Sequence, residues 1–185
     1  ADGLAKLRPV FDKPYGNVTA GNSSQVTDGA ALLLLASQEA VDKWNLKPLG
    51  KIVDSQWSGL DPAQMGLGPV YAATPILQRH GLGLNDLDLW ELNEAFAAQV
   101  MGCLCAWNDS EFCRDELHSE PWGVLDEEKM NVDGGAIAIG HPVGASGARI
   151  VLHLLHALKA RSKQRGIATI CIGGGLGGAM LVETC

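Results

Sequence analysis

Residues 148–185 carry the strongest constraint on the fold. Val151, Leu154, Leu155 and Leu158 recur at i, i+3, i+4 and i+7, which is one face of an α-helix. An apolar run at 167–172 follows, then a glycine-rich turn at 173–178 and a second apolar run at 179–183. Each run is strand length and rich in residues that suit a pleated, buried surface. A helix feeding a buried hairpin must cover one face of a sheet, so the chain is expected to be a layered α/β domain.

The rest of the chain repeats this alternation. Residues 18–24 (VTAGNSS) read as a polar loop. The continuous apolar run at 29–36 (GAALLLLA) reads as a fully buried strand or a buried helical turn. Ser37 is placed to cap a short helix through Trp44. A strand is predicted over 48–57 and a helix from Gly68 to about His80, with Pro69 near its first position. A turn at 82–86, a short strand through Leu87, Leu89 and Leu92, and a helix over 94–107 follow. Residues 109–129 hold eight of the chain's acids and read as a surface insertion with about one helical turn. No linker divides the chain, so 1–185 is read as one domain, of a length suited to a single core.

Charge and cysteine usage narrow the function. The net charge of −7 opposes a general nucleic-acid surface, which needs clustered Lys and Arg. It leaves room for a small anion held by backbone N–H groups. Five cysteines, an odd number without a dense framework, indicate reduced thiols and a cytoplasmic or other intracellular setting. No run of 18 apolar residues is present, so no membrane span is expected. The first residue is Ala rather than Met, which suits a fragment or a processed subunit.

Three patches carry chemistry: 91–96 (ELNEAF), 134–147 (GGAIAIGHPVGASG) and 171–178 (CIGGGLGG). The first lies at a strand-to-helix junction, where side chains face a ligand crevice. The second puts His141 in a loop before a long helix, and the third puts Cys171 at a strand end beside bare glycine amides. A thiolate can serve as nucleophile or base, and an imidazole can set its charge. An Asn carboxamide and glycine N–H groups can hold an oxyanion. Each piece has a plainer use: Cys171 as a small buried hydrophobe, His141 as a loop-ordering side chain, Asn93 as a helix cap. Cys103, Cys105 and His118 lack zinc-site spacing, and no metal is expected. Gly173, Gly175 and Gly178 fit G-x-G-x-x-G, but seven residues follow them, too few for the helix and strand of a dinucleotide site.

The blocks NEAFAAQ (93–99), GGAIAIGHPVGASGARI (134–150) and CIGGGLGGAM (171–180), with TAGNSSQVTDGAA (19–31), resemble in order the signature blocks of the C-terminal half of thiolases. The resemblance covers nearly the whole chain except 109–129, which looks longer than in many members. It implies a thiolase-like half with a mixed five-stranded sheet and helices on both faces. It also implies reversible Claisen condensation or thiolytic cleavage of 3-ketoacyl-CoA, with coenzyme A thioesters as substrates and no separate cofactor.

By the same resemblance His141 activates the nucleophilic cysteine and binds the thioester oxygen, and Cys171 moves the α-proton. Asn93 holds a water in one oxyanion site, and the Gly173 amide forms part of a second. Ser24, Ala95 and Phe96 line the pantetheine channel. The nucleophilic cysteine belongs to an N-terminal half, and none of the other cysteines here sits in a matching motif. The implied partners are that half, in the same or a separate chain, and further copies in a homo- or hetero-oligomer. A eukaryotic member would be mitochondrial or peroxisomal. In the lone chain, residues 29–36 and 134–139, which read as buried on all sides, are expected to leave an apolar face uncovered. A ketoacyl synthase-like enzyme is the nearest alternative, but such enzymes resemble thiolases with His or Asn in place of Cys171. A non-catalytic subunit of the same fold is the other alternative.

Overall fold

A computed structural model describes residues 2–185. The elements, in chain order, are α1 (Gln38–Trp44), β1 (Gly50–Gly59), α2 (Gly68–His80), β2 (Leu89–Leu92), α3 (Ala97–Asn108), α4 (Ser110–Glu116), α5 (Ala136–Ile139), α6 (Ser146–Ala160), β3 (Arg165–Ile172) and β4 (Leu176–Thr184). Local rules account for many boundaries. Ser37 Oγ accepts from the Ala40 N–H at 3.2 Å and starts α1, as its cap position predicts. Gly81, in the left-handed region, stops α2. Gly174 and Gly175 have φ of 90° and 82° and allow the tight β3–β4 turn.

The sheet has four strands in the order β1-β4-β3-β2, not the five expected. Strands β1, β4 and β3 run antiparallel, and β2 runs parallel to β3. The place of a fifth strand beside β2 is marked by one parallel bridge, Trp90 to Met130. The next residue ends it: Asn131 has φ 48°, which turns the chain away. Its side chain then completes the pairing, its Oδ1 accepting from the Leu92 N–H and its Nδ2 donating to Leu92 O, each at 2.9 Å. A side-chain amide thus replaces a strand ladder.

Alternation along the strands divides two cores. Trp90, Leu92, Ile167 and Leu181 pack with α2 and α3 around Ile76, Leu77 and Trp107. Leu89, Ala168 and Val182 pack with the α6 stripe of Ile150, Val151, Leu154, Leu155 and Leu158. The helices therefore lie on both faces, as expected. Trp107 donates from Nε1 to Thr74 Oγ1 at 3.0 Å, and its ring meets Trp90 edge to face at 5.3 Å.

Three expectations need correction. The run at 29–36 forms neither strand nor helix: Leu32 and Leu34 are each 88% exposed while Leu33 rests on the α6 core. Its side chains alternate in exposure at 31–34 as in a strand, but among the described residues no strand pairs with it. Residues 109–129 are also more than a surface insertion. Asp109 caps α4 by accepting from Glu111 and Phe112 N–H groups, Cys113 and Leu125 are buried, and Phe112 and Trp122 pack on the main core. Finally, α3 begins at Ala97 with Phe96 at its cap, so Asn93 is not a helix cap.

Candidate active site

The loop carrying His141 is placed by backbone contacts. The His141 N–H donates to Gln25 O at 2.9 Å, and Val26 pairs with His141 in a parallel bridge. One residue pair upstream the same segment binds the β2–α3 junction: the Ser24 N–H donates to Ala95 O at 2.9 Å, and Ser23 bridges to Phe96. Residues 23–26 therefore form a strap joining the two loops, and Ser24, Ala95 and Phe96 meet at one end of it. Phe96 also meets Phe11 edge to face at 5.8 Å.

The floor of the loop is built by Glu94, which motif reading passed over. Its carboxylate accepts from Asn131 Nδ2 at 2.7 Å and from the Ile137 N–H at 3.1 Å. A Cβ on Gly135 would fall on that carboxyl group, so a larger residue there would push the Glu94 side chain off its two partners. The only sequence signal was a glutamate directly after Asn93, beside a pair of glycines further on.

The His141 ring is held on one side. Its Nδ1 lies 2.6 Å from Ser146 Oγ, and Ser146 Oγ donates to Pro142 O at 3.1 Å. With that single hydroxyl proton committed, Ser146 accepts from Nδ1–H, and Nε2 is left as the bare, basic nitrogen. Nε2 faces Asn93 Nδ2 at 3.4 Å. Burial, and next the nearby Arg149 charge, lower the His141 pKa, so the imidazole is neutral at physiological pH and can accept a proton. Arg149 itself is tied to the loop, donating to Gly140 O at 2.9 Å.

Asn93 is 2% exposed, and its Oδ1 has no hydrogen-bond partner among the described residues. Its backbone N–H donates to Thr169 O at 2.9 Å, which places it just past the end of β2 and beside the end of β3. Cys171 lies at that β3 end, opposite Gly177 in the hairpin. Asn93 and Cys171 thus occupy neighbouring strand ends, where a parallel pair opens its ligand crevice. Cys171 is 7% exposed, and burial pushes its thiol pKa up, so the resting group is a thiol. Cys171 makes no hydrogen bond to another side chain among the described residues, and neither it nor His141 lines the cavity beside Asn93. Gly173 stands exposed in the turn with open space where a Cβ would be.

Cys103 is fully buried on α3. Its thiol donates to Gly66 O at 3.3 Å, and burial pushes its pKa up to about 12. It is a packing residue. Among the described residues no group of three His, Cys, Asp or Glu side chains could hold a metal ion.

The structure thus sets a neutral imidazole, its basic nitrogen toward a buried carboxamide, near a strand end whose neighbour carries a protonated thiol, residue types suited to proton transfer and oxyanion binding. Comparison with known proteins then specifies the group. Residues 46–184 match the thiolase C-terminal domain, and residues 1–39 match the thiolase N-terminal domain. The acetyl-CoA acetyltransferase of Escherichia coli (strain K12) is 50% identical over 183 residues, covering 99% of this chain and 42% of the relative. The crystal structure of human mitochondrial 3-ketoacyl-CoA thiolase in complex with CoA superposes with a TM-score of 0.80 at 41% identity, covering 100% of this chain and 42% of that one. The dimeric peroxisomal thiolase of Saccharomyces cerevisiae gives a TM-score of 0.83 at 40% identity, with the same coverage. The chain belongs to the thiolase family. It spans about 42% of the length of these relatives.

Proposed function

We propose that this chain is the C-terminal catalytic part of an acyl-CoA C-acyltransferase, catalysing reversible Claisen condensation or thiolysis of 3-ketoacyl-CoA. The observation that carries the proposal is the His141 ring, held by Ser146 with a bare Nε2 directed at Asn93. In this scheme Nε2 takes the proton from a nucleophilic cysteine supplied by the N-terminal half of the enzyme, the resulting thiolate attacks the acyl-CoA thioester, and an acyl-cysteine forms as CoA leaves with that proton. Asn93 holds a water at the first oxyanion site.

Cys171, a thiol at rest, first gives its own proton to solvent; as thiolate it then removes an α-proton from a second acyl-CoA, and the Gly173 amide holds the enolate oxygen. The carbanion attacks the acyl-cysteine, forming the carbon–carbon bond and expelling the cysteine thiolate. In the reverse direction Cys171 starts as a thiol and returns that proton to the departing carbanion. The raised thiol pKa favours its role as this acid. Ser24, Ala95 and Phe96, gathered by the 23–26 strap, line the path of the pantetheine arm. Coenzyme A thioesters are the substrates, with no separate cofactor.

The partner is the thiolase N-terminal half. Two observations favour this: residues 1–39 match the N-terminal domain, and the run at 29–36 presents exposed leucines that pair with no strand among the described residues. A homo- or hetero-oligomer in a cytoplasmic, mitochondrial or peroxisomal compartment fits the same scheme, and among the described residues no helix is long and apolar enough to cross a membrane. The test is reconstitution with a thiolase N-terminal half, followed by thiolysis of acetoacetyl-CoA. Turnover is expected in the complex and not in the chain alone. Cys171→Ala is expected to abolish condensation while the partner's nucleophile still becomes acylated. Loss of acylation as well would give Cys171 a different role, and turnover by the chain alone would overturn the division of labour.

A further inference from the structure

Behind the His141 loop lies a cavity of about 90 Å3, lined by Glu91, Asn93, Gly135, Arg149 and His153 among others. Glu91 and Asn93 are two residues apart at the end of β2, so they face the same side of the sheet, toward α6. Glu91 is 5% exposed, and its carboxylate meets His153 Nδ1 on α6 at 2.7 Å. The other ring nitrogen of His153 lies 3.4 Å from Asp133 Oδ2. Asp133 is held in turn by Arg161 at the end of α6, with contacts of 2.7 and 3.2 Å. Asp133 is the residue immediately before the Gly134–Gly135 pair that opens the His141 loop.

We propose that Glu91 and His153 are positioning residues that fix the separation of Asn93 from His141 by tying the end of β2 to α6 and to the first residue of the His141 loop. The connectivity supports this. Asn93 is carried by β2, while His141 is anchored to Ser146, the first residue of α6. The Asn93–His141 contact of 3.4 Å is too long to hold the two elements in register alone. Behind it, the α2 side of β2 is secured by apolar packing, but on the α6 side Glu91 replaces the hydrophobe that strand alternation would place next to Leu89. A buried carboxylate is costly without a partner, and its pairing to His153 has a stricter geometry than an apolar contact. The carboxylate side chain reaches from β2, His153 meets it from α6, and Asp133 brings in the loop. Arg149 also lines this cavity and Glu94 lies against its Gly135 wall, and both are committed to loop backbone.

This inference rests on the assignment of Asn93 and His141 as the working pair, but its test needs no substrate. Nitrogen NMR of the 185-residue chain reports the Asn93 side-chain amide and the His141 ring nitrogens. His153→Leu and Glu91→Leu are expected to shift both sets of signals, and Glu91→Gln, which keeps an acceptor for His153, is expected to restore them. Arg165→Leu, which removes a remote contact to Glu183, is expected to lower the melting temperature without moving either set. If His153→Leu lowers the melting temperature but leaves the Asn93 and His141 signals in place, the pair is merely structural and the proposal fails. Should Glu91→Leu not fold, His153→Leu decides, since His153 is half-buried rather than sealed in the core. In the enzyme reconstituted with its N-terminal half, His153→Leu is expected to lower kcat by ~10- to 100-fold at nearly unchanged KM for CoA. Shifted signals without any turnover, in the unsubstituted complex as well, would count against the thiolase scheme alone.

Discussion

His141 Nδ1 lies 2.6 Å from Ser146 Oγ, and the same hydroxyl donates to Pro142 O at 3.1 Å. The serine is at once the first residue of α6 and the anchor of the loop that precedes it. Because its one proton is used on the carbonyl, it selects the Nδ1–H form of the imidazole. The basic nitrogen is thereby turned toward Asn93.

Ser146→Ala removes that selection with the loss of one buried oxygen. The expected stability cost is about 1 kcal/mol, typical of a single hydrogen bond. The effect on kcat in the reconstituted enzyme is expected to be much larger, ~10- to 100-fold, because the ring can adopt the other tautomer or turn away. Nitrogen NMR checks the cause directly: the variant is expected to show a mixed His141 tautomer population. A single unchanged tautomer with full activity would contradict the anchoring role.

The pH behaviour of His141 has a definite sign. Burial and the Arg149 charge lower its folded-state pKa, so the unfolded chain binds the proton first as pH falls. The contribution to stability is complete above the ordinary histidine value and is lost as pH drops through the folded one. Arg149→Met removes the second cause, and the His141 midpoint is expected to rise while remaining below the ordinary value, since burial persists. A proton NMR titration of the ring measures this, and a midpoint that stays put or falls would contradict it.

Gly135→Ala is expected to destabilise the chain by ~1–3 kcal/mol, the usual cost of overpacking, because the added methyl meets the Glu94 carboxyl. Glu94→Ala alone also destabilises, by losing the contacts to Asn131 and Ile137. The double variant is expected to cost less than the sum of the two, since each relieves part of the other's conflict. Denaturant unfolding of all four chains supplies the cycle. Simple additivity would mean that the two residues do not compete for the same space.

Leu32→Ser with Leu34→Ser tests the unpaired run. Both side chains are exposed in the lone chain, so the change in its stability is expected to stay within about 0.5 kcal/mol. Self-association and binding of an apolar dye are expected to fall, and complementation by the N-terminal half is expected to be lost. Normal complementation would show that the run is not the seam.

Much of this protein was legible along the chain, and the legible parts share one property: they depend on near neighbours. Ser37 caps α1 because its hydroxyl reaches an N–H three residues on. The α2 boundaries follow from Pro69 at its start and Gly81 just beyond its end. The α6 stripe and the glycine turn before β4 follow from period and backbone freedom. The chemical residues His141, Cys171 and Asn93 were found because they sit in recurring blocks.

What tertiary structure alone decided depends on groups far apart in sequence. The run at 29–36 has the composition of a buried strand, but burial needs a second surface, and Leu32, Leu34 and Leu35 find none among the described residues. The fifth strand shrinks to one bridge because Asn131 turns the backbone and uses its amide on β2. Glu94 lies against Gly135 from 41 residues away, and Glu91 meets His153 across 62. Composition and periodicity record which residues prefer to be covered; which atoms cover them, and therefore which group the bare nitrogen of His141 faces, is settled by packing between separate elements.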